Sequence, residues 1–96
     1  MHFEIAPKET EVILNWDDTR LYCFSLSIDG KTGWRLPTKE ELNEIYESEN
    51  DFVKRGYWSS TEVDTFYAWG QNFNNGRQHS GLKNNGFYVR AIRSIL

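Results

Sequence analysis

A chain of 96 residues with 14 acidic and 11 basic side chains, net charge −3, has the length of one domain, and an apolar fraction of 39% excludes a disordered chain. One cysteine, Cys23, excludes an intrachain disulfide or a cysteine cluster, and the acidic balance is not that of a nucleic-acid binder. No stretch approaches the ~20 apolar residues of a membrane span. The first fourteen residues carry charges and Pro7 where a secretory signal needs an apolar run, so the expected location is the cytoplasm or a virion.

Without a disulfide, stability must come from packing, and four Trp, five Tyr and six Phe supply large rings for a small core. The charge is unevenly placed. All fourteen acids lie at or before Asp64, whereas the rest of the chain has none and carries Arg77, Lys83, Arg90 and Arg93. Such asymmetry suggests a dipolar molecule with a basic C-terminal region; the bland alternative is that few charges are needed on a buried C-terminal sheet.

In chain order, short strands are predicted over 3–5 and 11–14. Asn15 offers a helix N-cap, with Asp17 and Asp18 at the positive end of the dipole. The first helix is predicted over 16–26, with Leu21, Phe24 and Ile28 as one buried stripe. Asp29-Gly30 turns the chain. Residues 33–37 are extended, because a residue before proline avoids the helical region. Thr38 and Glu41 then form a capping box. The second helix is predicted over 39–48, with Leu42, Ile45 and Tyr46 inward and Glu40, Glu44 and Glu47 as an outer acidic face. Strands follow over 57–61 and 66–73. Asn75-Gly76 is the preferred pair of a type I′ hairpin turn, residues 77–80 return antiparallel, 84–86 turn again, and 87–95 is the last strand. Two helices followed by an antiparallel meander give an α+β fold.

The chemistry-bearing stretch is 70–86, GQNFNNGRQHSGLKNNG. Its amides, Arg77, His79 and Lys83 offer donors and acceptors, and Tyr67 and Trp69 offer flat faces for a sugar ring or an anionic group. The candidate ligand contacts are Tyr67, Trp69, Gln71, Asn72, Asn74, Arg77, His79 and Lys83. The bland alternative is that Asn and Gly are there only to make turns. Catalysis is not expected: there is no nucleophile elbow, paired carboxylate or phosphate loop. Two isolated histidines and one cysteine do not make metal-ligand spacing, so neither metal nor cofactor is expected.

The run NWDDTRLYCFSLSIDGKTGWRLPTKEELNEI, followed by YWSST, AWGQNFNNG and YVRAIR, resembles a bacterial and phage domain family of C-type-lectin-like fold found at the C-termini of collagen-like adhesins. The layout is more distantly similar to formylglycine-generating enzymes and phage variable receptor-binding proteins. The resemblance implies two helices, a small antiparallel sheet and long hairpin loops that carry the binding surface. The WRLPT box itself reads as structural: Trp34 has the area to plug the core between helices and sheet, and Arg35 is expected in a partly buried ion pair, with Glu41 as the candidate partner. In many relatives a cysteine in the first helix can pair with one in the closing strand. Here those positions are Cys23 and Ala91, so the bridge cannot form, which fits folding in a reducing cytoplasm. The calcium-binding tripeptides of sugar-binding relatives are absent, as are the paired cysteines of the oxidases.

Two functions follow as expectations. One is a non-catalytic binding module, receptor-binding or adhesin-like, that uses the C-terminal hairpins against a glycan, a polyanion or a protein. Homo-oligomers are compatible with it. The other is a small intracellular protein-binding inhibitor of phage type, acting through Glu40, Glu44 and Glu47.

Overall fold

Local chemistry fixes both helices. In the computed structural model, which describes residues 2–95, the Asn15 side chain accepts from the Asp18 amide at 3.0 Å and starts α1 (Trp16–Ser25). Thr38 Oγ1 accepts from the Glu41 amide at 3.2 Å and Glu41 Oε1 accepts from the Thr38 amide at 2.9 Å, so the predicted capping box starts α2 (Lys39–Ser48). Leu42 and Ile45 are buried and Tyr46 is partly buried, as the spacing requires. Among the described residues no helix is long and apolar enough to cross a membrane.

The predicted stripe of α1 is corrected. Leu21 is 73% and Phe24 80% exposed, whereas Trp16, Thr19 and Cys23 form the buried face. The reason lies in one hydrogen bond. Trp16 Nε1 donates to the Ser59 carbonyl at 2.8 Å inside the core, which fixes the rotation of the helix. Positions 19 and 23 then follow Trp16 inward. Ile28 lies beyond the helix, partly buried in an isolated bridge with Lys31 around the Asp29-Gly30 turn.

Two sheets hold the strands. A three-stranded sheet has β1 (Phe3–Ile5), β8 (Ile92–Ser94) and β3 (Trp34–Arg35) in the order β1-β8-β3. The larger sheet joins β2 (Val12–Leu14), β7 (Phe87–Val89), β4 (Gly56–Glu62), β5 (Tyr67–Asn72) and β6 (Gln78–Leu82) in the order β2-β7-β4-β5-β6. The fold is α+β, but the meander is corrected: β7 runs parallel to β4, and the predicted final strand 87–95 is divided between the two sheets. Arg90 and Ala91 make the break. The Arg90 guanidinium is pulled inward by the Ala6 carbonyl at 2.8 Å, Glu11 at 3.3 Å and Asp51 at 3.1 Å.

Strand alternation gives the large sheet two covered faces. Trp58, Ala68 and Val89 join Trp16, Cys23, Trp34, Leu36 and Ala91 in one core cluster. Tyr57 joins Leu42, Ile45, Phe52, Phe73, Phe3 and Ile92 in the other, beneath α2. The sequence motifs bind the frame together. Ser60 N donates to the Pro37 carbonyl at 2.8 Å and Lys39 N to Thr61 Oγ1 at 3.0 Å, so the YWSST strand holds the end of the WRLPT box. Arg35 closes that box with two hydrogen bonds to Glu41, at 2.7 and 2.8 Å.

Candidate binding surface

The β5–β6 hairpin carries most of the predicted contacts, and its connection is not the predicted type I′ turn. Type I′ requires positive φ at both central residues. Gly76 has φ 80, but Asp29 is the only non-glycine with positive φ among the described residues, so Asn75 does not qualify. The chain instead makes a five-residue connection, 73–77, in which Gly76 N donates to the Asn72 carbonyl at 2.7 Å. Asn72 Oδ1 accepts from Asn74 N at 2.8 Å and Asn75 Oδ1 from Arg77 N at 2.9 Å, local turns typical of asparagine. The longer loop lets Phe73 turn inward, where its ring meets Tyr46 of α2 edge-on at 5.4 Å.

The hairpin is then bolted to α2 by amides. Gln71 Nε2 donates to Asn43 Oδ1 at 2.8 Å and to the Gly76 carbonyl at 3.0 Å. Gln78 Nε2 donates to the Lys39 carbonyl at 2.8 Å. Gln71 is fully buried, so its polar atoms belong to the frame. Such a network is rigid because leaving any buried member unpaired is costly.

The other predicted contacts divide between the sheet faces. Tyr67 and Trp69 share the α2 side with Gln71. Tyr67 is exposed, while the Lys39 ammonium sits 3.6 Å over the Trp69 ring and covers that face. On the opposite side, the pairing of Gly70 with His79 sets the imidazole beside bare backbone. His79 packs edge-on against Phe87 at 5.5 Å, and burial lowers its pKa, keeping it neutral near pH 7. Phe87 was not foreseen as part of this surface. Gly56, Gly70 and Gly81, on three adjacent strands, leave the lane in which its ring lies: a Cβ on Gly81 would come 2.7 Å from it. Glycines at 56, 70 and 81 were the available signal, legible only once strand order is known. Asn74 and Arg77 are exposed at the hairpin tip, and Asn72 is partly buried beside them.

The predicted charge dipole is corrected as well. Lys83 is held by Glu62 at 2.6 Å and lies 4.5 Å over the Trp16 ring. Arg90 pairs with Glu11 and Asp51, and Arg93 with Glu4 at 2.8 Å. Three of the four late cations thus meet early acids, and Arg77 alone of the four makes no ion pair among the described residues.

Glu40, Glu44 and Glu47 are exposed on α2, as expected. Glu47 also lines a groove of about 370 Å³ with Tyr46, Glu49, Asn50, Lys54 and Asn74, so one member of each predicted set meets there. Among the described residues no three His, Cys, Asp or Glu side chains stand together where a metal could sit.

A family model described as the Lcl C-terminal domain matches residues 7–93. The chain belongs to that family. The match spans the capping box, both core clusters apart from Ala6 and Phe3, and the whole β5–β6 hairpin, so the candidate surface of this Lcl C-terminal domain lies within the family's bounds. No curated protein matches the chain.

Proposed function

We propose that this Lcl C-terminal domain is a non-catalytic binding module of C-type-lectin-like architecture that presents the tip of its β5–β6 hairpin to a glycan. One observation carries the reading: Gln71, Gln78 and Tyr46 clamp the hairpin to α2, so Asn72, Asn74, Arg77 and His79 are held in place before any ligand arrives. A preorganised loop avoids the ordering cost of binding. Amides, one guanidinium and a neutral imidazole match the mixed donors and acceptors of a sugar. Because Lys83, Arg90 and Arg93 are neutralised internally, an isolated Arg77 suits a ring with few charges better than a long polyanion. A glycan array with a heparin arm tests this. Retention of a defined glycan, lost in the Asn74→Ala, Arg77→Ala variant, is the expected result. No retention by glycans or heparin at low salt overturns it.

The second reading, a protein-binding inhibitor acting through Glu40, Glu44 and Glu47, is favoured by the groove at Glu47. A partner captured equally by the wild type and the triple Gln variant removes it.

A further inference from the structure

Four strands form the edges of the two sheets: β1 and β3 in the smaller, β2 and β6 in the larger. An edge strand presents unpaired backbone groups, and proteins blunt it with shortness, charge, proline or a bulge. The first three edges have only two or three residues each. The fourth, β6, has five, QHSGL, with no proline, Lys, Arg, Asp or Glu among them. Its register with β5 runs unbroken from Tyr67↔Leu82 to Gln71↔Gln78, so no bulge turns it away.

Alternation tells which of its backbone groups are free. At its two ends, Asn72 N donates to the Arg77 carbonyl and Lys83 N to the Phe66 carbonyl, both at 2.9 Å. Positions 77 and 83 thus bond toward β5, and in an antiparallel ladder 79 and 81 between them do the same. The backbone groups of Gln78, Ser80 and Leu82 face the other way, off the sheet. The Leu82 carbonyl is taken by Asn85 N at 2.9 Å. The Ser80 backbone also bonds the His79 imidazole and favours its protonation, which is the action of a carbonyl; that oxygen keeps a second lone pair. The remaining row of donors and acceptors specifies its own occupant, an extended chain that adds a sixth strand.

One end of the edge also carries an apolar corner. Tyr67 and Leu82 stand opposite one another and both are exposed, as is Phe66 on the other face of the sheet. Phe66 and Leu82 border a hollow of about 220 Å³ with Asp17, Thr65, Lys83 and Asn84. The other end of the edge is the polar hairpin tip. A second copy of the chain fits this asymmetry poorly. In a two-fold pair of β6 strands centred on Ser80, Leu82 of each copy would stand opposite Gln78 of the other, so both apolar corners would meet polar ends.

We propose that β6 is a strand-addition site for an extended segment of a partner protein. The segment pairs its backbone with Gln78, Ser80 and Leu82. Two successive apolar side chains at one end cover Tyr67 and Leu82 on one face and Phe66 on the other. The site uses neither Asn74 nor Arg77, so it stands whether or not the hairpin tip binds a glycan.

The test begins with selection of displayed random twelve-residue peptides against the 96-residue chain. The expected consensus has adjacent apolar residues at one end and no proline in the paired stretch. Amide hydrogen exchange then reads the pairing on the wild-type protein. The Gln78, Ser80 and Leu82 amides should exchange fast in the free chain and at least tenfold more slowly with a selected peptide bound, whereas His79 and Gly81 are protected in both. N-methylation of alternate peptide amides should cost at least tenfold in affinity, and methylation of the intervening ones much less. Phe66→Ser, Leu82→Ser protein should lose at least tenfold as well. Ser80→Pro, which removes an outward N–H that β5 does not use, should abolish binding. No enrichment, peptides that bind without protecting Gln78, Ser80 and Leu82, indifference to N-methylation, or self-association seen by light scattering and abolished by Ser80→Pro would each overturn the proposal.

Discussion

Gly76 shows how much one missing Cβ decides. Its φ of 80 is left-handed, and a Cβ there would lie 2.5 Å from the Tyr46 ring. Gly30 has φ 77 but nothing within 4 Å. Gly30→Ala is therefore expected to cost about 1 kcal/mol from backbone conformation alone, and Gly76→Ala about 3 kcal/mol, because overpacking against α2 adds to it. Urea denaturation of both variants measures the difference; equal losses would mean that Tyr46 moves aside freely. Cys23 gives a second single-residue prediction. Burial pushes its thiol up to about 11, so it should resist a thiol reagent at pH 8 in the folded protein and react on unfolding. At this scale the sequence located the β5–β6 turn through Asn and Gly but not its type, since Asn75 does not take the positive φ that a type I′ turn needs. It was silent on which amides face a ligand. Gln71 and Gln78 read as open donors, and their partners, 28 and 39 residues away, were not visible from local pattern.

Among the elements, α2 was legible because everything that defines it is local: a capping box, an apolar stripe and an acidic outer face. The first helix was not. Its apolar residues outnumber its buried ones, and the true inner face includes a threonine and a cysteine whose selection depends on the distant Ser59 carbonyl. The capping box of α2 also predicts a pH response. Arg35 holds the Glu41 carboxyl down to about 2, with the Thr38 amide adding to the effect. A folded-state value below the unfolded one, about 4.3, stabilises fully above the unfolded value. That stabilisation is lost as pH falls through the folded value. Glu41→Gln should therefore melt below the wild type at pH 7, and the two melting temperatures should converge between about pH 5 and pH 2. Parallel profiles across that window would show that the pair contributes nothing to stability.

At the scale of the molecule, the ends of the chain meet: β1 pairs with β8 and β2 with β7, so neither sheet closes until the last residues arrive. Arg90 sits at that junction, its side chain 4% exposed beside a Glu11 carboxylate that is 7% exposed. Glu11 Oε2 also accepts from the Tyr57 hydroxyl at 2.6 Å, and the Arg90 guanidinium lies 4.5 Å over the Phe52 ring. One cation thus ties segments near residues 6, 11, 51 and 90, and reaches both core clusters. Removing one partner of a buried pair leaves the other uncompensated, so Arg90→Met is expected to cost about 3–5 kcal/mol. Adding Glu11→Gln should recover part of the loss, because the orphaned charge disappears while the amide oxygen still accepts from Tyr57. Three of the four tryptophans, Trp16, Trp34 and Trp58, lie in the first cluster, so with Trp69→Phe as the common background tryptophan fluorescence follows that cluster while far-ultraviolet dichroism follows the whole chain. The two signals should coincide in urea for the wild type and shift together in Arg90→Met. If fluorescence moves alone, the clusters are separate units and Arg90 does not couple them. An Arg90→Met protein as stable as the wild type would mean that the buried charges, not the packing around them, are dispensable to the fold.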